Sequence, residues 1–149
     1  RMNMYELVSV LRASDRIVSS RYHAIVTSMP AGTPSAGVTM DERIRNLMRE
    51  RGHEHLLMSV DEPQLGDRIA ASLHTLDAEA EEIREAMGRT VARNIQLMAR
   101  MGVYFEQQVA RQFPEFPIRT GVLGWEEYLP PLSRCLRTLL RDHNGVESS

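Results

Sequence analysis

Three short runs of nearly uncharged sequence, Ile17-Val18, Ser35–Val38 and Leu56-Leu57-Met58, constrain the fold of this chain most strongly. Each is too short for a helix, and a stretch with helical spacing separates each from the next. A tight hairpin joins only antiparallel strands, so a helix-length connection between successive strands implies a parallel sheet. The first third of the chain therefore predicts βαβ units of an α/β fold. Ligands of such sheets sit beyond the carboxyl ends of the strands.

Around these strands the helices are readable. Met4, Leu7, Val8 and Leu11 give an inward stripe from about Met4 to Ala13. A second helix is expected from about Arg21 to Ser28, before the turn cluster Pro30-Ala31-Gly32-Thr33-Pro34. A third runs from about Asp41 to Arg51, with Ile44, Leu47 and Met48 inward, and Gly52 stops it. After Val60 the character turns helical: about Pro63 to Leu76, then a long stretch from about Ala78 to Arg111, then about Pro131 to His143. Trp125 to Leu129 reads as a helical turn after the Pro114-Glu115-Phe116-Pro117 break. The expected division is a Rossmann-like portion over 1–76, a helical extension over 77–143 and a disordered tail over 144–149. A helix at residues 1–13 that feeds straight into a strand predicts that a preceding segment is missing.

Composition removes several classes of function. At 149 residues with 42% hydrophobic and 26% charged side chains, the chain can bury a core, and no run approaches a membrane span. A net charge of -2 argues against nucleic acid. The single cysteine, Cys135, excludes an internal disulfide and fits a reducing, cytoplasmic setting, and its helix position predicts a buried core thiol. All 18 basic residues are arginine, which reads as the codon bias of a GC-rich bacterial genome. Without lysine there is no Schiff-base chemistry and no lysine-centred phosphate loop, so an anion must be held by arginine, histidine and backbone amides. No metal and no cofactor is expected.

The candidate site follows from the first strand. Ser19 and Ser20 lead into a helix whose first turn carries Arg21 and His23, and a strand-to-helix junction offers backbone N–H groups and a favourable dipole to an anion. Thr39 to Arg43 lies at the end of the next strand and should border the same crevice. The structural alternative for Arg21 and His23 is a salt bridge and a half-buried histidine. Ser19 and Ser20 lack the glycines of a nucleophile elbow and read as caps or phosphate contacts. His53-Glu54-His55 has the look of a metal set but reads as a solvated turn. Trp125, Tyr128 and Phe116 are expected to clamp the last helix, and Met87, Met98 and Met101 to pack in the core.

The run from Leu11 to Ala24, then Ala31-Gly32-Thr33-Pro34, then Asp41-Glu42-Arg43-Ile44, resembles the polysaccharide pyruvyl transferase family. The matching pattern is a strand, Ser20-Arg21-Tyr22-His23-Ala24, a helix, the Ala-Gly-x-Pro step with a strand, and an Asp-plus-basic loop before a helix ending in glycine. It covers about the first third of the chain, and the Arg-x-His pair is its discriminating part. Arg43 stands where many relatives have lysine. The resemblance implies the C-terminal Rossmann-like half of a GT-B-like protein that transfers pyruvate from phosphoenolpyruvate to a sugar hydroxyl. Ser20, Arg21, His23 and Arg43 would then contact the donor, with His23 as general acid. A missing N-terminal half would supply the acceptor side, so no turnover is expected of this piece alone. The long helix would pack on that half, or self-associate without it. Two other readings remain: a nucleotide-sugar glycosyltransferase half, and a non-catalytic helical interaction module.

Overall fold

The computed structural model describes residues 3–117 and 124–143. It is mostly helical, with one small parallel sheet. The elements run α1 (Met4–Ala13), β1 (Ile17–Ser19), α2 (Tyr22–Ser28), β2 (Ser35–Val38), α3 (Glu42–Glu50), β3 (Leu57–Met58), α4 (Leu65–Ala78), α5 (Ala80–Gln112) and α6 (Arg134–His143). The disordered tail expected at 144–149, and most of the loop expected after Pro117, lie outside the described residues. Two compact units divide within α5, one ending at Thr90 and the other starting at Val91.

In the first unit the sheet has the order β1-β2-β3, and all pairs are parallel. The register places Ser19 opposite Gly37 and Val38 opposite Met58, so the carboxyl ends of the strands open on one edge. α3 lies against β2, while α4 meets β2 and β3. Ile25, Ile44, Met48 and Met58 are almost fully buried around the sheet. Burial of one such side chain contributes about 1.5–3 kcal/mol, which outweighs the weak pairing of two- and four-residue strands. Gly37 is required by packing: a Cβ there would lie 2.6 Å from Ile44 Cγ2. Gly52 takes φ +75 just past α3, the left-handed conformation that lets a helix end.

Arg21 is not the first helical residue. It keeps an extended backbone (φ -108, ψ 118) as the N-cap of α2. α4 likewise starts at Leu65 and not at Pro63. The turn cluster contains a 3-10 turn at Met29–Ala31, closed by Gly32 at φ +72.

The second unit holds the rest of α5, a 3-10 turn at Trp125–Tyr128, and α6. Tyr128 packs on α5: a Cβ on Gly102 would come within 2.8 Å of Tyr128 Cδ1. Of the residues expected to pack, Met87 is buried in the first unit, while Met98, Met101 and Phe116 are exposed. Leu140 is the one buried residue of α6, and Cys135 is exposed, so it is not a core thiol. The periodicity of α6 is real, but a stripe records what a helix can bury, not what it has found to bury against.

Candidate functional site

Each strand leaves the sheet through the same small device. Ser19 Oγ accepts the Arg21 N–H at 3.0 Å, Thr39 Oγ1 the Asp41 N–H at 2.6 Å, and Ser59 Oγ the Asp61 N–H at 3.4 Å. A hydroxyl at a strand end thus satisfies a backbone donor that the ladder no longer reaches. These turns aim the first two loops along one edge.

Between those loops the side chains meet. Asp41 caps α3 by accepting the Arg43 N–H at 2.9 Å, and it grips the Arg43 guanidinium through Nε at 3.1 Å and Nη2 at 2.6 Å. Those bonds to Arg43 hold the Asp41 carboxyl below the usual carboxylate range, and Asp41 in turn raises Arg43. The guanidinium lies 5.6 Å from the centre of the Tyr22 ring, a cation–π distance that ties the β2–α3 loop to the start of α2. Tyr22 also meets the His23 ring edge-on at 5.5 Å. The two loops therefore meet at one edge of the sheet, as the strand order required.

Ser20, Arg21 and His23 are exposed at this edge. Among the described residues no acceptor or carboxylate holds the Arg21 guanidinium, so the salt bridge expected of a purely structural arginine is missing. His23 is not half-buried. Arg43 belongs to the same edge, but its charge is shared with Asp41.

A buried polar cluster at the opposite end of β2 was not foreseen. Arg51, 3% exposed, places its guanidinium on the Ser35 carbonyl, on Ser35 Oγ at 2.9 Å and on Met87 Sδ at 3.4 Å. Burial brings its pKa down to about 10. His53 is no solvated turn residue. It is 5% exposed, and burial, then the positive charge of Arg51, lowers its pKa to about 4. Arg51 Nε and His53 Nδ1 have no hydrogen-bond partner among the described residues. His55, by contrast, is exposed and reaches Glu79 at 3.1 Å. The cluster faces away from the carboxyl edge and reads as structural.

Among the described residues, no group of three or more His, Cys, Asp or Glu side chains converges as a metal would need, and no helix is long and apolar enough to cross a membrane. No protein-family model matches the chain, and neither does any curated protein or solved structure.

Proposed function

We propose that the carboxyl edge of the sheet binds the anionic donor of a pyruvyl transferase-like protein, phosphoenolpyruvate, and that this chain is the C-terminal half of a GT-B-like enzyme working in the cytoplasm. The reading rests on the sequence resemblance. The observation that carries it is the exposed Arg21 guanidinium, which has no hydrogen-bond or ion-pair partner among the described residues and stands next in sequence to Tyr22, whose ring Arg43 overlies. A planar fork of five donors suits a carboxylate or a phosphate, and an arginine without an internal partner gives up only water to bind one.

In this reading Arg21 and the Ser20 hydroxyl take one anionic group of the donor. Arg43, held through Nε and Nη2 by Asp41 and set over Tyr22, keeps its Nη1 N–H groups to offer the ligand without being free to collapse onto it. Forming the ketal makes two C–O bonds to the central carbon of phosphoenolpyruvate, protonates its methylene to a methyl group and breaks the C–O bond to phosphate. Of the diol's two protons one ends on the methyl group and one on the departing phosphate, and in this reading His23 passes on the latter. The acceptor side belongs to a second half. The exposed apolar residues of α5, Met101, Tyr104 and Phe105 among them, support a role in packing on that half or in self-association.

Calorimetric titration with phosphoenolpyruvate and, separately, with a nucleotide sugar tests this. Binding of the first that is lost in Arg21→Ala and His23→Ala is expected. Binding of the nucleotide sugar alone would replace the reading with a glycosyltransferase half. Equal behaviour of wild type and variants toward phosphoenolpyruvate would leave α5 as the functional part, an interaction module.

A further inference from the structure

β2 and β3 end at Val38 and Met58, and the chain stays side by side beyond them because the Thr39 N–H donates to the Met58 carbonyl at 2.8 Å. Past this point a cleft of about 330 Å³ opens, lined by Thr39, Arg45, Leu57, Ser59, Asp61 and Glu62. Its volume is at the lower end of the range for small-ligand sites, enough for a single ring with a substituent.

The lining selects a chemistry. Thr39 and Ser59 each accept a backbone N–H, and each keeps its own hydroxyl proton for another acceptor. The exposed Asp61 carboxylate, an acceptor only, is not engaged by any side chain among the described residues. Glu62 accepts from Arg68 Nε at 3.1 Å, and Arg45 pairs with Glu42 at 3.3 Å. Two carboxylates against one guanidinium disfavour an anion. A divalent cation would find one uncommitted carboxylate, too few for a hard-ion site. A neutral ligand with adjacent hydroxyls fits best, since it both donates and accepts, and Leu57 offers apolar surface to its C–H face.

We infer that this cleft binds vicinal hydroxyls of a carbohydrate. The inference rests on the transferase reading of the same edge and adds a second subsite to it, on this half and not the missing one. Thr39 joins the two subsites: it lines the cleft and opens the loop that carries Asp41 and Arg43. Two sources share this chemistry, the pyranose of an acceptor and the ribose of a nucleotide.

The test is amide chemical-shift mapping on the full chain, titrated with methyl β-D-glucopyranoside and, in a second arm, with uridine. Tens of millimolar is the range in which one ring held by a few hydrogen bonds binds. Shifts are expected at Thr39, Ser59, Asp61 and Glu62. Asp61→Ala and Ser59→Ala, both at exposed positions, should weaken binding about tenfold. Saturation by the glucoside marks an acceptor subsite, and saturation by uridine alone marks a ribose subsite. No shifts from either probe, shifts unchanged in both variants, or the same shifts from magnesium ion instead, would overturn the inference. Phosphoenolpyruvate bound in a chain deaf to both sugars strikes the cleft alone. Sugar binding without phosphoenolpyruvate binding strikes the donor reading and leaves the cleft.

Discussion

The contact between Gly37 and Ile44 sets how closely α3 lies on β2, and hence where the Thr39–Arg43 loop begins. A methyl group at 37 would lie 2.6 Å from Ile44 Cγ2, 3.1 Å from Met48 Cε and 3.3 Å from Leu57 Cδ1. Met48 Cε is the end of a flexible chain and can swing aside. Ile44 is β-branched, fully buried and stiff at χ1, so it cannot. Gly37→Ala should therefore destabilise by about 1–3 kcal/mol through overpacking. Ile44→Ala should cost about 2–5 kcal/mol through the cavity it leaves. In the double variant the new methyl enters that cavity, so the combined loss should fall short of the sum by about 1 kcal/mol or more. Urea denaturation of the four proteins, at matched m-values, reads this directly. Additivity within about 0.5 kcal/mol would refute the close approach of α3 to β2.

Two further outcomes follow from the cluster at the other end of β2. His53 has a folded pKa of about 4 against an ordinary value of 6.5, so between these values the unfolded chain binds a proton that the folded chain refuses. Its contribution is fully present above pH 6.5 and is lost as pH falls toward 4, by roughly 3 kcal/mol in all. Denaturant midpoints at neutral and acid pH should show that loss, and His53→Gln should flatten it. Arg51→Lys should destabilise by about 1–3 kcal/mol, because an ammonium cannot reproduce the fork on the Ser35 carbonyl and hydroxyl. Thermal unfolding of the variant checks it, and an unchanged midpoint would contradict the role given to the fork.

Much of the scaffold was legible because it is written locally. The bounds of α1 and β2 fall where the apolar spacing puts them, although the α1 stripe is not turned inward, since Met4 and Leu7 are exposed and no residue of α1 is buried. Asp41 and Gly52 act as start and stop signals for α3. The meeting of the first two loops was also legible, since adjacent parallel strands must present their carboxyl ends together. The contact that joins them was not: nothing in the spacing of Tyr22 and Arg43 announces a ring under a guanidinium. Arg51 shows the limit most clearly. On the sequence it is one more arginine ending a helix, and its burial depends on Ser35 and Met87, which only the fold brings near. Cys135, Met98 and Met101 erred the other way, because periodicity marks an apolar face whether or not a neighbour covers it. One signal stood in the sequence unread. Ser19, Thr39 and Ser59 recur at equal spacing, each one residue past an apolar run, and together they mark the three strand ends.

The central claim is that Arg21 anchors an anionic donor at the carboxyl edge of the sheet, and the dissociation constant of phosphoenolpyruvate for wild type and for Arg21→Ala tests it most directly. Arg21 is exposed and its guanidinium makes no hydrogen bond or ion pair among the described residues, so the variant should fold as the wild type does. Losing a charge-assisted pair should weaken binding by at least about tenfold. Equal affinity in the two proteins, or no binding in either, would contradict the account.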